Sequence, residues 1–160
     1  MKILILAVGK TSTPYITEGV DNYLKRAARY MPVALQTVAD VKSTKSLSEE
    51  SQKQKEAAAI LEALQPGDRV ILLDEHGKEL TSREFSDFIS RTALQGIKRL
   101  VFVIGGPYGF SRGLYDRADG KISLSRMTFT HEMVRLFFAE QIYRACTIMT
   151  IMRGEPYHHD

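Results

Sequence analysis

The sequence predicts a single-domain α/β protein built on a mainly parallel β-sheet. Strand-like and helix-like segments alternate along the whole chain, which is the pattern of parallel strands joined by crossover helices. Several strand-like segments are almost entirely apolar, as expected of strands covered on both faces. The 160 residues fit one domain and suffice to bury a core without disulfides.

The first half of the chain predicts two strands and two helices. In order these are a strand at Ile3–Val8, a helix from Pro14 to about Tyr30, a strand at Val33–Ala39, a loop at Asp40–Leu47 and a helix to about Leu64. Pro14 fits a first helical turn, where the missing N–H costs nothing. Ser46–Glu49 has the spacing of a capping box. The inward positions of the second helix are predicted at Ala57, Ile60, Leu61 and Leu64.

The second half predicts three strands and three helices. In order these are a strand at Arg69–Leu73, a polar turn at Asp74–Lys78, a helix from Thr81 to about Leu94, a strand at Leu100–Ile104, a short helix from about Ser111, a strand at Ile122–Leu124 and a long last helix. Thr81–Glu84 is a second capping box, and Gly96 is a good helix breaker. Thr130 is the predicted N-cap of the last helix.

Composition narrows the class of protein. The single cysteine, Cys146, excludes an internal disulfide framework, and its apolar neighbours predict a packed thiol in the reducing cytoplasm. No apolar run reaches the ~20 residues of a membrane-spanning helix, so we expect no membrane association. The adjacent His158 and His159 lack further ligands at metal spacing, so we expect no metal. A net charge of +3 permits a nucleic-acid partner without requiring one.

Three loops are predicted to form the binding site. Ligands of open parallel sheets bind beyond the carboxyl ends of the strands, which here are the loops after Leu73, Ile104 and Leu124. The loop after Ile104 reads "GGPYG", and its glycines allow a ligand close to the backbone. The full dinucleotide pattern and its acidic ribose partner are missing, which disfavours a nicotinamide dehydrogenase.

The last helix is apolar on most of its circumference, yet it carries arginines. Arg135 and Arg144 are nine residues apart and therefore face opposite ways on an α-helix. A helix of this kind is buried, and in so small a chain the second wall can come from another subunit. An arginine on it must then be paired or pointed into a site. In the tail, Arg153 and Tyr157 suit contact with a phosphate and stacking on a base.

Four stretches together resemble one known family. They are "ILAVGK" at the start, "FVIGGPYG" at 102–109, "LSRMTFTHEMVRLFFAEQIYRA" at 124–145 and "PYHH" at the end. Their order and spacing are similar to those of the ribosomal RNA large subunit methyltransferase H family, which belongs to the SPOUT class of methyltransferases. The similarity covers essentially the whole chain, residues 1–160.

The resemblance implies a fold, a cofactor and a partner. It implies a C-terminal trefoil knot within about residues 70–155, a homodimer, and S-adenosylmethionine bound by the three strand-end loops. The implied activity is methylation of N3 of a pseudouridine in 23S ribosomal RNA within the assembled ribosome. The implied cofactor contacts are Leu73, Gly105, Leu124, Ser125, Arg126, Met127, Thr128 and Phe129.

The reacting nitrogen keeps its proton at neutral pH, so a residue must remove that proton or stabilise the anion. The candidate catalytic residues are Arg135, His131 and His158, with Tyr157 also available. Spacing in the sequence does not choose among them. The expected RNA contacts, some of them across the dimer, are Arg135, Arg144, Arg153, Tyr157 and His158.

Two other functions stay open on the sequence alone. One is a SPOUT-type methyltransferase that acts on another RNA such as tRNA, because the first half of the chain carries no readable substrate signature. The other is a non-catalytic RNA-binding or ribosome-assembly factor with a vestigial cofactor loop. Calorimetry with S-adenosylmethionine separates this factor from the enzymes.

Overall fold

A computed structural model describes residues 1–40 and 48–152 of the chain. The elements in chain order are β1 (Lys2–Val8), α1 (Pro14–Ala27), β2 (Val33–Val38), α2 (Glu49–Ala63), β3 (Arg69–Glu79), α3 (Ser82–Leu94), β4 (Arg99–Ile104), α4 (Arg112–Arg117), β5 (Gly120–Ser123) and α5 (His131–Met152). The strands form one sheet in the order β2-β1-β4-β3-β5, and every neighbouring pair is parallel. The predicted α/β class with a parallel sheet is confirmed.

Helices cover both faces of the sheet. Successive residues of a strand point to opposite faces, so the apolar run of β1 supplies both cores. Ile3 and Ile5 pack with α1, α3 and α5, whereas Leu4 and Leu6 pack with α2 and α4. This arrangement explains why the strands are apolar without interruption. In the described part of the chain, no helix is long and apolar enough to cross a membrane.

Three phenylalanines form the centre of the larger core. Phe102 of β4 is fully buried, with its ring centroid 4.9 Å from that of Phe138 and 5.6 Å from that of Phe85. These tilted geometries are the ones that aromatic rings prefer. Phe85 lies on α3 and Phe138 on α5, so the cluster joins two helices to the sheet. Cys146 of α5 is also buried, and burial raises the pKa of its thiol to about 12, which confirms the predicted packed thiol.

Several local expectations are confirmed and three need correction. The capping box of Thr81 and Glu84 is present, and Gly96 has a φ of +74°. The predicted N-cap Ser46 lies outside the described residues, and α2 begins at Glu49 with Ser48 as its N-cap. Leu61, predicted to face inward, is 38% exposed. The predicted turn after Leu73 is wrong, because β3 continues to Glu79 with an interruption in its pairing to β5.

The first turn of α5 is joined to the start of α1 by Glu132. Its Oε1 accepts hydrogen bonds from the backbone N–H groups of Ser12 (2.8 Å) and Thr13 (2.9 Å). Both hydroxyls of these residues donate to the other carboxylate oxygen, each at 3.1 Å. These bonds, with those from Thr13 foremost, lower the pKa of Glu132 from 4.5 to about 2. A negative charge also suits the positive end of the α1 dipole.

We expect Glu132→Gln to lower the melting temperature at neutral pH and to leave it nearly unchanged near pH 2. The folded pKa lies below the unfolded one, so the carboxylate stabilises the fold above about pH 4.5. That contribution disappears as the pH falls towards about 2. Melting curves of both proteins between pH 2 and 7 measure the difference. Glu140→Gln on the same helix removes only an exposed pair with Arg144 and serves as the control.

Candidate active site

The ends of β4 and β5 lie beside the interruption in β3 at one edge of the sheet. In the parallel register Leu73 of β3 is opposite both Ile104 of β4 and Ile122 of β5. The loops that follow these three residues therefore begin side by side. This register places Leu73 and Gly105 in adjacent rows, and the binding of one ligand by all three segments stays a prediction.

A tight glycine turn follows β4. The N–H of Gly109 donates to the carbonyl of Gly106 at 3.3 Å, and Gly109 has a φ of +80° that favours glycine. Gly105 lies against the ring of Phe110, which would be 2.9 Å from a Cβ at that position. We call residues 105–109 the glycine loop. Three of its five residues are glycines, which lack a side chain that would keep a ligand away from the backbone.

The loop after β5 is held by short-range hydrogen bonds. The hydroxyl of Ser123 donates to the carbonyl of Ser125 at 3.0 Å, and the hydroxyl of Ser125 accepts from the N–H of Met127 at 3.0 Å. Thr130 then caps α5, as predicted, by accepting from the N–H of Met133. Leu124 and Ser125 are half-buried, whereas the predicted contacts Arg126, Met127, Thr128 and Phe129 are exposed.

A cavity of about 290 Å³ lies beside this loop. Leu124 and Phe129 form one wall, and Phe137 and Gln141 of α5 contribute another. The cavity does not include Leu73 or Gly105, so the eight predicted cofactor contacts do not share one cavity here. The strand register, rather than this cavity, is what brings the three loops together.

A bulge in β3 bends around the end of β5. Ile122 is opposite Leu73 and also opposite Lys78, so the four residues between them loop outwards. At the bulge, a Cβ on Gly77 would lie 2.6 Å from the carbonyl carbon of Ile122. The bulge is also tied to α4, because the hydroxyl of Tyr115 donates to the carboxylate of Asp74. Burial and this bond raise the pKa of Tyr115 to about 12.

Arg135 is buried at the edge where β1 ends. It is 1% exposed, and its guanidinium donates to the carbonyl of Val8 (2.7 Å) and to the hydroxyl of Thr11 (2.8 Å). Burial lowers its pKa below the ordinary value, while the nearby charges of Glu132 and Asp40 oppose that shift. Arg135 therefore fixes the loop after β1 from the side of α5.

The other predicted catalytic and RNA-binding residues are farther apart or not described. His131 is exposed in the first turn of α5. Arg144 is exposed and forms a 3.5 Å ion pair with Glu140, so the prediction that Arg135 and Arg144 face opposite ways is confirmed. Arg153, Tyr157 and His158 lie outside the described residues. Within the described ranges, no three His, Cys, Asp or Glu side chains converge as a metal site.

Sequence reasoning missed a carboxylate beneath the glycine loop. Glu56 of α2 is 2% exposed and accepts a hydrogen bond from Gln52 Nε2 at 3.1 Å. Its carboxyl carbon is 2.8 Å from the place that a Cβ on Gly106 would take. A usable signal existed, because Glu56 precedes the inward-facing Ile60 by four residues and so shares its side of the helix.

The residues present fit a cationic, adenosine-containing cofactor. Glu56 occupies the space that a Cβ on Gly106 would need, so a buried carboxylate lies directly beneath the glycine loop. Backbone groups of the exposed residues 126–129, in the loop after β5, suit the edge of a purine. These features carry the donors, acceptors and negative charge that S-adenosylmethionine would need.

Comparison with known proteins is consistent with this geometry. The family described as "Predicted SPOUT methyltransferase" matches residues 1–158. The chain is 52% identical to ribosomal RNA large subunit methyltransferase H of Parabacteroides distasonis and 51% identical to that of Bacteroides thetaiotaomicron, in each case over all of both chains.

Solved structures share the fold at low sequence identity. A probable methyltransferase from Bordetella pertussis Tohama I superposes with a TM-score of 0.55 at 12% identity, covering 91% of this chain and 96% of its own. A probable methylase family protein from Haemophilus influenzae gives 0.54 at 13%, covering 99% and 72%. At such low sequence identity, the structural similarity supports a shared fold only.

Proposed function

Because the chain belongs to the SPOUT methyltransferases, and among them to the ribosomal RNA large subunit methyltransferase H family, we propose that it methylates 23S ribosomal RNA. The methyl donor is S-adenosylmethionine, and the acceptor is N3 of a pseudouridine in the assembled ribosome. The observation that carries this proposal is the full-length match to a member of that family at 52% sequence identity. It is supported by the strand register, which brings Leu73, Ile104 and Ile122 side by side. The reaction then takes place in the cytoplasm.

The cofactor is held by the three loops. Leu73, Gly105 and Leu124–Phe129 are the proposed contacts, and three of the five residues of the glycine loop have no side chain. When bound, the cofactor supplies a methyl group that its positive sulfur has already activated, so no metal is needed. The loops have to hold the acceptor nitrogen in line with that methyl group, which is a matter of position and orientation.

The proton on N3 needs an acceptor from this chain. Arg135 has a positioning part in the proposed site, because it holds the loop after β1 through Val8 and Thr11. Of the candidate bases, His131 is exposed at the start of α5 and His158 belongs to the tail. We propose that Arg144, Arg153, Tyr157 and His158 contact RNA.

We further propose that the protein is a knotted homodimer. The knot is supported by the way the β3 bulge wraps around the end of β5 before the chain enters α5. The dimer is supported by apolar side chains left exposed at the C-terminal end of α5, at Ile151 and Met152. Sedimentation equilibrium of the full chain measures the dimer directly.

Comparing the rate of methyl transfer to ribosomes with the rate on naked RNA tests whether the assembled ribosome is the substrate. A dimer that docks on a whole ribosome gains contacts from several surfaces, whereas a chain with a net charge of only +3 binds free RNA weakly. We expect methyl transfer from labelled S-adenosylmethionine to ribosomes that lack the modification, and a far lower rate on protein-free 23S RNA. Mass spectrometry of nuclease fragments locates the methyl group.

Three results would contradict the proposal: one from this assay, one from the same assay with tRNA, and one from calorimetry. Equal rates on ribosomes and naked RNA would remove the ribosome from the substrate. Methylation of tRNA instead would assign another SPOUT activity. Calorimetry that detects no S-adenosylmethionine binding would favour a non-catalytic RNA-binding factor.

A further inference from the structure

Glu56 is a buried carboxyl group with one neutral hydrogen-bond partner. Among residues 1–40 and 48–152, no lysine or arginine pairs with its carboxylate, and only the amide of Gln52 donates to it. Desolvation raises the pKa of Glu56 above its ordinary value, the bond from Gln52 opposes that shift, and the charge of Asp40 adds to it. Burying an ionised carboxylate without a cationic partner is unfavourable in free energy, and a cation nearby would reduce that penalty.

The carboxylate points at the glycine loop rather than away from it. Both the carboxyl carbon and Oε1 of Glu56 are 2.8 Å from the position of a Cβ on Gly106. The loop at Gly106 therefore rests directly on the carboxylate, and a ligand bound against the other face of this loop would be close to it. Charge interactions across so short a distance, in a place closed to water, are only weakly screened.

We propose that Glu56 makes the site prefer the cationic methyl donor over the product that the donor becomes. The proposal rests on the proposed function, because it takes the glycine loop as a wall of the cofactor site. In methyl transfer the S–CH3 bond breaks, its electron pair stays on sulfur, and S-adenosylhomocysteine is left as a neutral thioether. A fixed negative charge behind the loop stabilises the bound sulfonium and gives the thioether no such gain, so it favours donor binding and product release.

Calorimetry with three ligands tests this preference on the full chain. The ligands are S-adenosylmethionine, S-adenosylhomocysteine and sinefungin, which carries a charged amine in place of the methyl-bearing sulfonium. We expect Glu56→Gln to weaken both cationic ligands about tenfold and the neutral thioether by no more than about twofold. Glu62→Gln removes the same charge from an exposed position on the same helix and should change none of the three.

A second variant protects the test against a folding defect. Gln52→Lys places an ammonium group beside Glu56 and neutralises its charge while the carboxylate stays in place. It should produce the same selective loss, and melting curves establish that each variant is folded. Equal weakening of all three ligands would assign Glu56 a purely structural part and overturn the proposal, as would no weakening at all. Wild-type protein that binds none of the ligands would instead overturn the proposed function itself.

Discussion

Replacing Gly77 with alanine is expected to destabilise the fold by about 3 kcal/mol, near the upper end for an added methyl group in a packed interior. The new Cβ would lie 2.6 Å from the carbonyl carbon and 2.7 Å from the amide nitrogen of Ile122. Both are backbone atoms of β5, so neither can move aside as the end of a flexible side chain can. Either the β3 bulge or β5 must shift.

Urea denaturation of the wild type and the variant measures this loss. Gly113→Ala on α4 is the matched control, because its nearest contact would be the hydroxyl of Ser111 at 3.8 Å. Alanine has a higher helix propensity than glycine, so the free energy of unfolding of the control variant should rise by up to about 1 kcal/mol. Unfolding free energies for Gly77→Ala within about 0.5 kcal/mol of the wild type would show that the bulge does not grip β5.

The same substitution links the fold to the site. The bulge starts directly after Leu73, and β5 ends directly before Leu124, so the clash lies between two of the proposed cofactor loops. We therefore expect weaker binding of S-adenosylmethionine in whatever fraction of Gly77→Ala remains folded. The glycine is required here for space alone, because its φ does not lie in the left-handed region.

The sequence predicted the parts of the fold that depend on local pattern. Buried strands such as Ile3–Val8 can be recognised because both of their faces are apolar. The capping box of α3 can be recognised because Thr81 and Glu84, which form it, are only three residues apart. The bulge of β3 could not be predicted in this way. Its polar residues look like a turn, and only the close approach of β5, about 45 residues later, makes them part of a strand.

The site was predictable only where chain order decides it. Parallel strands bring their carboxyl ends to one edge, so the three loops follow from the strand assignment. Glu56 was missed because a charged residue on a helix ordinarily faces water, and its burial depends on a glycine 50 residues away. The partners of Arg135, Val8 and Thr11, are likewise long-range contacts that no local pattern reveals.

The largest functional effect is expected from the tail. Replacing Tyr157 and His158 together with alanine should lower the rate of methyl transfer to ribosomes by about 10²- to 10⁴-fold, the usual range for loss of a positioned base. In the same variant the affinity for S-adenosylmethionine, measured by calorimetry, should stay within about twofold, since the proposed cofactor contacts lie in other loops. His159→Ala, one residue along the same tail, is the matched control and should keep the wild-type rate.

The rate of methyl transfer and the affinity for S-adenosylmethionine together distinguish the possible roles of the tail. A slow variant with normal cofactor affinity places Tyr157 and His158 at the RNA or at its proton. A variant that loses cofactor binding as well would make the tail a wall of the cofactor pocket instead. If turnover is undiminished, His131 is the candidate base that remains, because Arg135 is buried against Val8 and keeps its proton. The single substitution His131→Ala then becomes the decisive one, since its exposed side chain can be removed without opening the core.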